Sequence, residues 1–457
     1  MDNQTNTGNR FINWLKNSLT ARMFIIGFLT LILLIPLFFV QDLISERAQR
    51  QKSVVGEIND KWGEQVTMLG PVLKLPYRSF REKQITNAQN EVTTETVEQI
   101  KYLYFFPRQL NIQSHIDPEI KKRGIYRTAV YKSKTTISGN FAVPDLPDEE
   151  LSEENILWDK ARVIFKTSNL KGVNEQMDIR MANSDYRFTS KYQEVNKLGS
   201  APEKLYLMES EFLKEEDTPK EKAVAFEMQV SVNGSSQIAF VPIGKTTEAE
   251  IISDWDTSSF TGNFLPYNDD KLKGKGFDAK WKILDINRPF PQSFLNELPY
   301  LTEFSFGVNF MIPVDEYQKS ERATKYGFLV IGLTFLIFFL IQSLSNIPIH
   351  PFQYLMIGLG LVMFYTLLIS ISEHSSFLKA YLLAGISVIA MISLYSKSIL
   401  KGWKFPGFIG ASLLALYSFI YIIIQLESYA LLVGSVGLFL ILAGVMYVSR
   451  KIDWNNY

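Results

Sequence analysis

A chain of 457 residues with 47 basic and 47 acidic side chains has no net charge, so bulk electrostatics give it no hold on nucleic acid. It contains no cysteine, which excludes disulfides, thiolate metal sites and cysteine nucleophiles together. What remains divides into one hydrophobic stretch near the start, a long charged middle, and five hydrophobic stretches at the end.

The first 22 residues read as a cytoplasmic tail. Arg10, Lys16 and Arg22, interleaved with Phe11, Trp14, Leu15 and Leu19, predict a short interfacial helix. Residues 23–40 carry no charge and are close to the roughly 20 residues that a helix needs to cross hydrocarbon. This core exceeds the about 7–15 residues of a signal h-region, and no small-x-small site follows in Gln41–Arg47. The expectation is an uncleaved anchor, with 23–43 as the first span. Val54, Ile58 and Trp62, four residues apart, predict that the helix continues until Gly63 and Gly70-Pro71 stop it.

From there the pattern is strand-like. Val72–Tyr77 reads as an edge strand, because Pro76 cannot donate to a ladder. Ile100–Phe106 is β-branched and aromatic, and 124–141 alternates for much of its length. Further strands are expected at 161–167, 205–213, 223–232, 277–286 and 300–312. Asn233-Gly234, inside Val230–Phe240, predicts a hairpin with a type I′ turn. The acidic stretches 144–155 and 214–222 read as loops, and nothing repeats at a fixed period. Residues 44–322 are therefore expected to form a large, mostly antiparallel β domain of one or two packed lobes.

The tetrapeptide Ser45-Glu46-Arg47-Ala48, leaving the first span, recurs as Ser320-Glu321-Arg322-Ala323 before the second. It predicts neighbouring helices in which Glu46 meets Arg322 and Glu321 meets Arg47. Residues 326–345, 352–371, 377–395, 405–426 and 429–448 are five more spans, so 323–448 should be a five-helix bundle with antiparallel neighbours. Gly358, Gly360, Ala384, Gly385, Gly407, Ala411, Gly434, Gly437, Ala443 and Gly444 are the expected close-packing positions. No span carries a Lys, Arg, Asp or Glu at its middle, which argues against an ion-coupled pump or a voltage sensor.

Lys397, Lys401, Lys404, Arg450 and Lys451 fall on one side of the bilayer, whereas Ser372–Ser376 and Glu427–Ser428 on the other contain no Lys or Arg. By the positive-inside rule both termini, including the 449–457 tail, are cytoplasmic and the large domain is periplasmic. His350 sits at an inner membrane surface and Glu373-His374 at an outer one. Two ligands are too few for a metal site, so a structural role is expected, with Arg47 or Arg322 as a cation for Glu373. His115 stands alone in the large domain, and no hydrolase, metalloprotease or nucleotide motif is present. The expectation is a protein that is not an enzyme and carries no cofactor or metal, its partners being the lipid bilayer and a periplasmic protein or envelope polymer. The alternative is a transporter or flippase component.

Glu321–Tyr326, Leu333-Thr334-Phe335, His350–Leu355, Val362–Tyr365, Ser372-Glu373-His374, Leu400–Trp403 and Ile452-Asp453-Trp454 resemble stretches of the CreD family. So do Gly70–Leu73 with Pro76, Arg123–Tyr126, Phe260–Pro266 and Gly276–Trp281. The resemblance spans nearly the whole chain with the same layout. It implies an inner-membrane location in a Gram-negative bacterium and a link to envelope integrity, to altered tolerance of certain colicins, and to a regulon under a two-component sensor kinase. It implies no catalytic residue.

Overall fold

The computed structural model describes residues 19–86, 92–145, 152–191, 205–310, 316–345, 347–400, 402–426 and 429–450. Two compact units emerge: a helical one from residues up to Lys52 and from Val314 onward, and a sheet unit of Ser53–Pro313. The sheet unit is thus narrower than the expected 44–322, because helix persists beyond the first span and begins again before the second. The expected interfacial helix lies almost wholly outside the described residues.

In the helical unit, α1 (Leu19–Trp62) is a single 44-residue helix that runs through Pro36. At 1.5 Å per residue it is about 66 Å long, roughly twice a bilayer's hydrocarbon core of about 30 Å. Its last turns, from Ser53, belong to the sheet unit. The amphipathic α2 (Glu316–Lys325) precedes α3 (Gly327–Ser345), α4 (Pro351–Ser372), α5 (Phe377–Leu400), α6 (Lys404–Gln425) and α7 (Ala430–Ser449). Among the described residues, six helices, α1 and α3–α7, are long and apolar enough to span a membrane.

Leu33, Leu37, Val40 and Ile44 form the buried stripe of α1. Glycine makes room for it: a Cβ on Gly358 would collide with Leu33, and one on Gly327 would come within 2.8 Å of Leu37. Phe335 and Phe338 of α3 stack edge-on against Tyr354 of α4, whose hydroxyl donates to Gln342 Oε1 at 2.8 Å. Phe364, Tyr381 and Tyr417 join α4, α5 and α6, and Tyr381 donates its hydroxyl to Tyr417 O at 2.8 Å. Phe419 lies against Gly437 of α7. By contrast, Gly407 and Gly444 face nothing within 4 Å, so the small-residue expectation fails there.

The sheet unit comprises, among the described residues, β1 (Val66–Thr86), β2 (Val92–Phe105), β3 (Gln109–Arg123), β4 (Tyr126–Phe141), β5 (Arg162–Thr167), β6 (Asp178–Met181), β7 (Ser184–Lys191), β8 (Tyr206–Ser210), β9 (Val224–Ser235), β10 (Gln237–Phe240), β11 (Thr246–Ser253), β12 (Ser258–Gly262), β13 (Phe277–Leu284), β14 (Ser293–Leu295) and β15 (Phe306–Phe310). Hydrogen bonding follows the order β12-β15-β10-β1-β5-β8-β7-β6-β9-β4-β3-β11-β13, with β2 and β14 branching from β1. The β1–β10 and β3–β11 pairs are parallel and the others antiparallel. β7 pairs with β6 through Ser184–Arg187 and with β8 through Phe188–Lys191, so it turns the path from one face to the next. The two faces share one core. Trp281 of β13 meets Phe306 of β15 at 5.3 Å between ring centroids, and Tyr131 of β4 meets Phe310 at 5.0 Å. Each such fully buried ring contributes about 1.5–3 kcal/mol.

Two expectations are corrected. β1 is an interior strand. Pro76 is accommodated because its carbonyl accepts from Leu157 N–H at 2.9 Å, on the side away from β2 where the β1–β5 ladder has already ended at Lys74. Asn233-Gly234 is not a turn. Both residues lie inside β9, opposite Lys132 and Tyr131, and β10 pairs instead with β1 and β15. Gly234 is required by close approach, since a Cβ there would enter the phenol of Tyr131. A two-residue hairpin turn is found instead at Gly124-Ile125, with Gly124 at φ +61°, where a type II′ turn wants glycine.

Gly234→Ala should therefore destabilise the protein by about 1–3 kcal/mol through overpacking. Thermal unfolding checks this, and in a Tyr131→Leu background, itself destabilised, the further cost of Gly234→Ala should shrink because the phenol it collides with is gone. Full stability in the single variant would mean that the phenol moves aside freely.

Candidate functional site

The α4–α5 connection is four residues long, so Glu373, the C-cap of α4, is held at a fixed point on the helix ends. Its carboxylate lies 3.7 Å from Arg47 Nε of α1, and Tyr317 of α2 donates its hydroxyl to Glu373 Oε1 at 3.3 Å. Glu373 is 15% exposed and Arg47 43%. One residue before Tyr317, Glu316 Oε2 accepts the backbone N–H of Phe377 at 3.0 Å. That carboxylate satisfies an orphan donor at the positive end of α5. The buried face of α2 is Tyr317, Ser320, Ala323 and Thr324. Glu373 thus joins the two helices between which the chain makes its long excursion into the sheet unit.

Of the predicted site residues, Arg47 and Glu373 are brought together. The expected exchange between the two Ser-Glu-Arg-Ala motifs is replaced: Arg47 turns to Glu373, and Glu321 pairs with Lys325 one turn along α2 at 2.9 Å. Glu46 and Arg322 are exposed. The two motifs present different faces, Ser320 being fully buried and Ser45 exposed. His374 is exposed beside Glu373. His350 caps α4: its Nδ1 accepts from Phe352 N–H at 3.2 Å, and its own N–H donates to Gln353 Oε1 at 2.9 Å. Among the described residues, no group of three or more His, Asp or Glu side chains could hold a metal ion.

The sheet unit holds a second candidate that sequence reading missed, an open cleft of about 1010 Å³. Arg108, Asp145, Lys245, Asp285 and Phe290 line it, with Ile286 at its mouth, 86% exposed. Arg288, only 5% exposed, organises its wall. Its guanidinium donates to Phe290 O at 2.7 Å, to Ile243 O and Gly244 O at 3.4 Å, and to Gln292 Oε1. Gln292 in turn donates to Pro107 O at 2.8 Å. Burial pushes the Arg288 guanidinium down to about 10, against the opposing pull of Asp285. The Arg288-Pro289-Phe290-Pro291 run is the signal that could have revealed it: two prolines remove backbone donors, and an arginine supplies them to the carbonyls. Chemically the cleft offers a mixed polar and apolar surface suited to binding.

The family model described as "Inner membrane protein CreD" matches residues 18–455. A curated relative, the inner membrane protein CreD of Escherichia coli (strain K12), is 30% identical over 448 residues, covering 96% of this chain and 94% of the relative.

Because Arg47 is half-exposed and the contact is long at 3.7 Å, its pair with Glu373 should couple by only about 0.2–1 kcal/mol. A double-mutant cycle of Arg47→Ala and Glu373→Gln, followed by thermal unfolding in detergent, measures that coupling. A coupling of several kcal/mol would show the carboxylate to be far less solvated than its surroundings imply.

Proposed function

The chain belongs to the CreD family of inner-membrane proteins, and from that premise we propose that it maintains the cell envelope as a non-enzymatic binding protein. The sheet unit faces the periplasm and engages an envelope partner, and the helical unit anchors it with both termini in the cytoplasm. The cleft beside Arg288 carries this reading, because a rigid, carbonyl-stapled wall next to exposed Lys245, Arg108 and Ile286 is a preformed recognition surface. The orientation is supported by the basic side chains Lys397, Lys404 and Arg450 at one set of helix ends. The aromatic packing of Phe364, Tyr381 and Tyr417 across α4–α6 supports an anchor over a conduction path.

The cysteine-free chain makes single-cysteine labelling clean. Lys275→Cys, exposed in the sheet unit, should react with a membrane-impermeant maleimide once the outer membrane is opened. Ser398→Cys, exposed near the end of α5, should stay unreactive until the inner membrane is breached. The reverse pattern overturns the orientation. A photo-crosslinking residue at Ile286 should form a discrete adduct in living cells that one at Lys275 does not; equal yields at both would remove the cleft from the proposal.

A further inference from the structure

Among the described residues, one cluster on the sheet unit sets more cations than carboxylates together. Directly paired residues on adjacent strands share a face, so Tyr104, Lys74 and Arg162 form a row across β2, β1 and β5. Ile164, two residues on from Arg162, is opposite Glu209 of β8, and Lys166 follows on the same face of β5. Glu209 accepts from both Lys74 at 2.7 Å and Arg162 at 3.1 Å, so its charge is already shared. The Lys166 ammonium has no ion-pair or hydrogen-bond partner among the described residues. Burial first, and the neighbouring Lys74 second, push its ammonium below the usual lysine range. A second carboxylate, Glu297, lies near Tyr104, so this cluster sets Lys74, Arg162 and Lys166 against Glu209 and Glu297.

Aromatic rings flank these charges. Lys74 Nζ sits 4.4 Å from the Tyr102 ring centroid, and the Arg162 guanidinium lies 3.8 Å from that of Phe212. Both rings keep open surface, Tyr102 at 37% and Phe212 at 49% exposure. We propose that this face binds an anionic saccharide, whose carboxylate or phosphate group is taken up beside Lys166 while its ring C–H surfaces lie on Tyr102 and Phe212. Cations held on aromatic rings are positioned for charge-assisted hydrogen bonds, and the rings add apolar contact for a planar sugar face. An acidic peptide adding as a strand is disfavoured, because β1 and β5 are paired on both sides here and offer no free edge. An unpaired, partly desolvated cation is a cost to the fold that a bound anion relieves.

The inference deepens the proposed function and rests on it for the ligand's place in the envelope. Full-length protein in detergent is titrated calorimetrically with hexagalacturonate, with its methyl ester, with a phosphorylated hexasaccharide, with hexaglutamate and with short-chain phosphatidylglycerol. Saturable binding of at least one anionic hexasaccharide is expected, the two distinguishing carboxylate from phosphate, with the ester much weaker. Lys166→Gln should weaken that binding roughly tenfold, as for one lost charge-assisted contact, with thermal stability unchanged or raised. No saturable binding of either hexasaccharide, equal affinity for the ester, equal or tighter binding of hexaglutamate or the lipid, or an unaltered affinity in Lys166→Gln each overturns it. Because the titration uses purified protein, its failure leaves the cellular crosslink at Ile286 standing, and failure of that crosslink leaves the titration standing.

Discussion

The buried phenol of Tyr131 is the contact on which the sheet unit turns. Its hydroxyl donates to Gln237 O at 2.6 Å, its carbonyl accepts from Trp62 Nε1 at 3.4 Å, and its ring meets Phe310. One residue of β4 therefore fixes the end of α1, the start of β10, and the opposite face at β15. Gly234 is bare to make space for it. Nearby, Asn59 accepts from Thr128 at 3.1 Å, and Glu57 pairs with Arg123, so the last turns of α1 are stapled along the β3–β4 hairpin. Burial holds the Tyr131 hydroxyl well above its usual range, so it stays a donor at any physiological pH.

The helical unit solves a different problem. In hydrocarbon, apolar burial gives no preference for protein over lipid, so close packing and hydrogen bonds must select the arrangement. Notches at Gly327 and Gly358 receive Leu37 and Leu33, and the phenols of Tyr354 and Tyr381 find oxygen acceptors on neighbouring helices. The carboxylates Glu316 and Glu373 sit at helix ends, where each accepts from a different element. α7 is the least enclosed of the spans: Phe419 lies against its Gly437, yet none of its residues is buried.

The sequence made some of this legible and not the rest, for physical reasons. A span is a local property, so composition found six of them, and the prediction that α1 continues to Gly63 rested on a repeat within one helix. Strand alternation is also local, and it disclosed a sheet-rich middle. Strand partners are not local. Asn233-Gly234 has the chemistry of a turn, but its glycine answers a ring 103 positions earlier, at Tyr131. The Ser-Glu-Arg-Ala echo suggested mutual pairing, yet a carboxylate on a distant loop, Glu373, is better placed for Arg47 than Glu321 is. The basic face around Lys166 is assembled by strand register, and the Arg288 cleft by loops distant in sequence, neither of which hydropathy encodes.

The register also dictates when the sheet unit can form. Residues 66–68 of β1 run parallel to 238–240 of β10, which pairs in turn with β15 at 306–310. At about 5–20 residues per second of synthesis, β1 waits on the order of 10–50 s for the strands that complete its surroundings. During that interval an apolar strand carrying Val66, Met68, Leu69, Val72 and Leu73 has open ladder positions. Long-range pairing of this kind folds slowly and leaves unpaired edges to aggregate or be cleaved. The topology thus makes shielding of the nascent middle segment a requirement that lasts until its final strand emerges.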